Sequence, residues 1–163
     1  MNEKFKILTS FIKDMSSETP DVQSYLFVKE NISKYHLNID ITSKALKNRM
    51  IEVSTILKFE DKNSSEKKSH FEIVYISIIK IDENVKDSKE IKKIVICDLQ
   101  NEIYPKIEKI FLNLLDLSGF SGVKIEKKID FNKLYNERIN LKKFFLKLDF
   151  KYCLCKSISF LVG

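Results

Sequence analysis

Glycine and proline are scarce in this chain, with three Gly and two Pro among 163 residues, and Trp is absent. So few glycines leave no room for a phosphate-cradling loop, and neither a G-x-S-x-G elbow nor an H-E-x-x-H helix is present. The same scarcity argues against long irregular loops and repeated tight turns. The two histidines, His36 and His70, fall on or beside expected strands with no partner motif, so neither is a candidate base. Cys97, Cys153 and Cys155 are odd in number, and the last two are spaced for neither a zinc knuckle nor a C-x-x-C pair. The chain therefore reads as reduced and cytosolic. Cys97, without a recognisable His partner, reads as a buried structural thiol. Met1 to Ile12 carries Glu3, Lys4 and Lys6 and lacks the apolar run of a signal peptide. No apolar stretch reaches the roughly 18 residues needed to cross a bilayer. No catalytic residue, metal site or cofactor is expected.

What is present is a globular composition, 44% hydrophobic and 32% charged, enough for one domain with a real core. The net charge of +6 is unevenly placed. Residues 1–137 carry 23 basic against 22 acidic groups, a balance of +1. Residues 138–163 set six basic groups against Asp149, or +5. A nucleic-acid-binding domain carries its basic excess on the folded body, so the Lys-rich surface reads as solvation. The expected division is a domain over 1–140 and a basic, apolar tail over 141–163.

Four stretches alternate as half-buried strands do: Lys6 to Met15, Tyr35 to Thr42, Met50 to Glu60 and His70 to Ile81. Ile12 and Asp14 break the alternation of the first. The fourth is apolar on both faces at its centre, which requires cover on both by helices or another subunit. The polar segment Asp61 to Ser69 predicts a hairpin between the third and fourth. Between the first two, Pro20 to Lys34 is too long for a simple turn and reads as a crossover carrying the apolar cluster Tyr25-Leu26-Phe27-Val28. Ser88 to Ile96 reads either as a short helix or as a fifth extended piece. From Asn101, a candidate cap, Ile103, Ile107, Ile110, Phe111, Leu114 and Leu117 recur at helical steps, with Pro105 tolerated in the first turn. Gly119 ends this long helix. A second helix starts near Asp130 and passes through Phe131, Leu134 and Tyr135. Strands first and helices last make an α+β fold: a four-stranded antiparallel sheet with a crossover, then a long helix and a second helix. The ending from Leu141 reads as a basic amphipathic helix, as an extension of the last helix, or as a segment without fixed order.

Five segments, in order, resemble the SecB family of protein-export chaperones. Phe11 to Pro20 is similar to the aromatic-x-K-D-[LI]-S-F-E-x-P opening, with Ser17 in place of an aromatic. Phe71-Glu72-Ile73-Val74-Tyr75 is similar to the E-V-x-Y/Q strand. Cys97 followed by Ile103-Tyr104-Pro105 resembles C-P-x-x-[LI]-F-P, although Asp98 replaces proline and two residues are added. Gly119-Phe120 keeps its distance from Pro105 but loses the two prolines that follow in the family. Ile129-Asp130-Phe131-Asn132-Lys133-Leu134-Tyr135 matches I-D-F-x-x-L-Y. The basic residue usual just after the family's F-P-x-A segment is replaced by Ile107-Glu108, and the family's acidic tail by a basic one.

The resemblance implies a cytoplasmic homotetramer, a dimer of dimers with the long helix between dimers. It implies binding of unfolded precursor proteins and delivery to the SecA motor, touching the membrane only through the translocase. Asp14, Glu18 and Glu72 are its expected SecA contacts. Tyr25, Leu26, Phe27 and Val28 are the candidate client surface, and Tyr104, Ile107, Phe111 and Leu114 the candidate oligomer interface or core. Two other readings stand beside it: a SecB-like chaperone dedicated to one partner such as an antitoxin, and a basic nucleic-acid-binding protein.

Overall fold

Alternation of buried and half-exposed residues sets one face of each central strand inward. A computed structural model describes residues 4–61, 69–125 and 129–136 in full, together with the backbone of Ile158–Leu161. Its strands are β1 (Phe5–Glu18), β2 (His36–Ala45), β3 (Met50–Glu60), β4 (His70–Ile81) and β5 (Ile158–Leu161). They form one antiparallel sheet in the order β1-β4-β3-β2-β5. The four expected strands are all present, and β5 is an addition that no reading of the tail foresaw. Leu141 to Leu148 lies outside the described residues.

Leu37, Ile39, Ile41, Val53, Leu57, Phe59, Phe71, Ile73 and Tyr75 share the buried face, as the two-residue period of a strand demands. Helix α3 (Leu99–Leu117) covers this face with Leu99, Ile103, Tyr104, Ile107, Phe111 and Leu115. Phe59 is the hub, with ring centroids 5.2 Å from Tyr35, 6.3 Å from Phe71 and 6.3 Å from Phe111. The buried polar pair is satisfied: Thr55 Oγ1 donates to Gln100 Oε1 at 3.0 Å, and Gln100 Nε2 donates to the Val95 carbonyl at 3.1 Å. Each bond removes the cost of leaving a polar group dry and unpaired.

Ahead of the long helix, the two open readings of Ser88 to Ile96 resolve, and the expected helix start is corrected. Ser88 to Ile96 is helical, with α2 (Ser88–Lys93) capped by Asp87 and followed by a π-helical turn, Ile94–Asp98. The wider turn carries four consecutive buried residues, Ile94 to Cys97, which an ordinary amphipathic helix cannot do. That run of burial is why Ile94-Val95-Ile96 also resembles a strand. The helix thus continues through Leu99, so Asn101 does not cap it and Pro105 lies inside rather than in the first turn. Pro105 and Asn101 are both exposed, so the carbonyl deprived of its N–H partner faces water.

The end of α3 follows expectation. Gly119 adopts φ +90, Phe120 N–H donates to the Leu115 carbonyl and Gly119 N–H to that of Asp116, the paired bonds of a Schellman stop. The helical turn α4 (131–136) then closes over Cys97 and Tyr104.

The crossover is present, since β1 and β2 are not neighbours in the sheet, and it is built as a helix. Val22–Asn31 is helix α1, capped by Asp21 Oδ1, which accepts from Ser24 N–H at 2.6 Å. Tyr25 docks it: its hydroxyl donates to the Gly119 carbonyl at 3.0 Å and its ring lies 5.1 Å from Phe120. All these helices lie on the buried face. On the opposite face no helix covers the sheet among the described residues, so the expected cover on both sides of β4 is not supplied by the described helices.

Candidate functional site

Two irregularities in β1 decide which residues face outward. Its pairing with β4 slips between Ile7 and Thr9 and again between Ile12 and Asp14, which makes Leu8 and Lys13 the extra residues. In a regular strand, residues three apart fall on opposite faces. The bulge at Lys13 instead puts Ile12, opposite Tyr75, and Met15, opposite Ile73, on the helix side. It leaves Asp14 opposite Val74, Ser16 opposite Glu72 and Glu18 opposite His70 on the helix-free face. Asp14, Glu18 and Glu72, distant in sequence, therefore share one open sheet face. They are not equivalent there. Asp14 and Glu18 are exposed, whereas Glu72 is held by Lys58 Nζ at 3.1 Å and lies 3.4 Å from His70 Nε2. Hydrogen bonding to Glu72 raises the Lys58 pKa, against the opposing effect of its partial burial.

The four candidate client residues are separated by α1. Val28 is fully buried and Tyr25 is the docking residue, while Leu26 and Phe27 remain exposed, joined by Val22 one turn earlier. Consecutive residues on a helix point about 100° apart, so a contiguous tetrapeptide cannot form one surface. The candidate interface residues divide similarly. Ile107 and Phe111 are buried in the subunit's own core, Tyr104 is buried against Phe131 of α4, and Leu114 is half-buried. The flank of α3 that stays accessible is Ile110, Leu114 and Leu117, one stripe at helical spacing.

Sequence reasoning missed Leu8, Phe11, Ile12 and Met15 as surface residues, all exposed on β1. The broken alternation at Ile12 and Asp14 was the available signal. Lys106 of α3 lies over the Tyr75 ring, opposite Ile12, and Ser118 Oγ lies 2.7 Å from Ser17 Oγ. The α3 flank thus runs beside the inner side of β1, and Ile12 and Met15 adjoin it. Ser17, where the family has an aromatic, makes a polar contact with the end of α3.

Cys97 is fully buried, with its thiol donating to the Phe131 carbonyl at 3.3 Å. Burial, with the Asp98 charge, pushes the thiol from its ordinary 9.0 up to about 11. The folded chain therefore keeps this proton where the unfolded chain has lost it. The resulting stabilisation is fully present below pH 9 and is lost as pH rises through about 11. Tyr35, Tyr104 and Tyr135 are also raised, mainly by burial, and act in the same direction. Denaturation midpoints are expected to hold up to about pH 9 and fall above it. Peptide-resolved alkylation should label Cys97 only after denaturant is added, and rapid labelling of the native chain would contradict this placement. Among the described residues no group of His, Cys, Asp and Glu could hold a metal ion, and no helix is long and apolar enough to cross a membrane.

Comparison with known proteins converges on one family. The family model described as preprotein translocase subunit SecB matches residues 1–142. A protein-export protein SecB of Pelagibacter ubique (strain HTCC1062) is 61% identical over 140 residues, covering 86% of this chain and 100% of that protein. The protein-export protein SecB of Bartonella bacilliformis is 26% identical over 144 residues, covering 87% and 89% respectively. Among solved structures, a Mycobacterium tuberculosis SecB-like chaperone in complex with a peptide from the HigA1 antitoxin superposes with a TM-score of 0.54. It shares 9% identity and is covered to 91%, against 77% of this chain; that likeness is one of fold. With the family motifs placed in order on the sheet and on α3, and with these relatives, the chain belongs to the SecB family of protein-export chaperones.

Proposed function

We propose that this chain binds unfolded precursor polypeptides in the cytosol as a homotetramer, keeps them competent for export and passes them to SecA. The observation that carries the reading is the exposed apolar surface of β1 and α1. Leu8, Phe11, Ile12, Met15, Val22, Leu26 and Phe27 are all exposed, and such apolar exposure marks sites of association, with clients or with further copies of the chain. Unfolded precursors share extended backbone and apolar side chains but little sequence, so a chaperone recognises them through such patches. The edge position of β1 and the accessible α3 flank support assembly of several copies. The near-neutral balance of residues 1–137 argues against nucleic acid as the partner. The testing measurement is light-scattering mass with and without an unfolded precursor. A tetramer that forms a soluble complex with the unfolded chain and ignores its folded form is the expected result. A monomer indifferent to unfolded protein would overturn the reading.

The acidic residues of the open sheet face support docking of a basic partner surface, here assigned to SecA. Because Asp14 and Glu18 are exposed and free of the Lys58 network, replacing both by lysine leaves the fold intact. The Asp14→Lys/Glu18→Lys variant is expected to bind SecA at least about tenfold more weakly at low salt, since like charges across an interface cost about 1.4 kcal/mol or more. Its affinity for unfolded precursor should be unchanged. Equal SecA binding by the variant and the parent would place the docking site elsewhere.

A further inference from the structure

Four titratable side chains form one row across the helix-free face, where β1 and β3 end and β2 and β4 begin. Glu18 of β1 pairs with His70 of β4, and Glu60 of β3 with His36 of β2. Phe59 opposite Phe71 sets the next residues, Glu60 and His70, side by side on that same face. Carboxylate and imidazole therefore alternate along the row: Glu18, His70, Glu60, His36. Behind it Lys58 and Glu72 stand opposite each other, and His70 Nε2 lies 3.4 Å from Glu72 Oε2. Residues directly opposite in an antiparallel pair have Cβ atoms about 5 Å apart, within reach of a charged hydrogen bond. Thr19 Oγ1 and Ser69 Oγ, 2.9 Å apart, join the two strand ends beside the row. That contact keeps Glu18 and His70 in register.

We infer that His70 is a proton-operated switch of the acidic docking face. Neutral, it leaves Glu18 open to a basic partner; protonated, it pairs with Glu18 and weakens that docking. Histidine is the side chain whose charge ordinarily changes between about pH 5 and 8. Among the described residues, the charged groups facing His70 are Glu18 from β1, Lys58 and Glu60 from β3, and Glu72 from its own strand. His36 of β2 stands beyond Glu60. Two of the three carboxylates are already engaged. Glu72 Oε2 takes Lys58 Nζ at 3.1 Å, and Glu60 Oε1 accepts from Asn38 Nδ2 at 3.2 Å. Glu18 takes part in neither contact and is exposed, so a charged His70 meets its open partner there. The His70 and Glu72 side chains are only 36% and 18% exposed, and partly buried charges are screened less than open ones. Two effects then add. Protonation brings one positive charge into the face, and it occupies a carboxylate that would otherwise meet the partner. Partner binding and protonation of His70 therefore oppose each other, each by the same factor. The inference rests on the docking role proposed above for Asp14 and Glu18 and adds a control to it.

The test measures SecA affinity of the full chain at constant low ionic strength, at about pH 8 and about pH 6, for the parent, His70→Gln and His70→Lys. The parent is expected to bind at least about fivefold more weakly at the lower pH, the small end of ordinary coupling between sites. Glutamine keeps a polar side chain that does not titrate, so His70→Gln should lose much less affinity over the same interval. Lysine fixes the positive charge, so His70→Lys should bind at the higher pH about as weakly as the parent does at the lower. Ionisations of SecA itself act on all three proteins alike, so the difference between parent and His70→Gln isolates the switch. Circular dichroism at both pH values checks that each variant keeps the parent's fold. Identical pH profiles for parent and His70→Gln would overturn the switch and leave the docking face in place. No SecA binding by the parent at the higher pH would instead remove the docking reading, and the switch with it.

Discussion

Phe59→Ala is expected to lower the unfolding free energy by about 3–5 kcal/mol, the usual cost of emptying an aromatic site in a packed core. Phe59 is 1% exposed and touches three other rings: Phe71 of the sheet, Tyr35 just ahead of β2, and Phe111 of α3. Its loss removes the contact between sheet and helix at its centre, and α3 presents a rigid face that cannot collapse into the gap. Aromatic pairs add about 0.5–1.5 kcal/mol each beyond burial, so the cost belongs at the upper end. Chemical denaturation with a constant slope is the measurement. Phe59→Leu, which refills part of the volume, should recover much of the difference. A loss below about 1 kcal/mol, within reach of an ordinary surface change, would show that the hub is not packed as described.

The second large effect is on assembly. Ile12→Lys with Met15→Lys is expected to convert the proposed tetramer into smaller species, read as a fall in light-scattering mass towards the 19.2 kDa of one chain. Ile12 and Met15 are 41% and 46% exposed in the isolated subunit. Lysine there costs the monomer little, about 0.5 kcal/mol or less for each surface position. In a two-fold interface each substitution occurs twice on facing patches, and like charges brought together there cost several kcal/mol. Circular dichroism and the denaturation midpoint at low protein concentration should stay near the parent values, separating lost assembly from lost folding. A double variant that keeps its full mass would place the interface elsewhere, with Ile110, Leu114 and Leu117 on the α3 flank as the next surface to alter.

Both variants concern residues whose roles were not equally legible. Phe59 lies in a strand of strict alternation, Ile51 to Phe59, and its inward direction follows from the two-residue period. For Ile12 and Met15 the period fails, because the bulge at Lys13 shifts the register against β4. A bulge is a property of two paired strands, so one strand read alone shows only broken alternation.

The same division holds across the molecule. Local physics, visible residue by residue, determined the four strands, the polar hairpin connection, the long amphipathic helix and its stop at Gly119. It also marked Cys97 as a buried thiol and carried the family motifs. Tertiary structure decided what depends on partners far along the chain. The segment around Tyr25 became a helix because Tyr25 reaches Gly119 and Phe120, contacts without a local signature. Ile94 to Cys97 became a π-turn because the sheet and α4 take up adjacent sides of it. Tyr104, Ile107 and Phe111 are enclosed within the subunit's own core, a burial that helical spacing alone leaves open to core or neighbour. Asp14, Glu18 and Glu72 came onto one face through strand register. Short-range periodicity reports which side of an element is apolar; which surface meets that side is set by long-range packing.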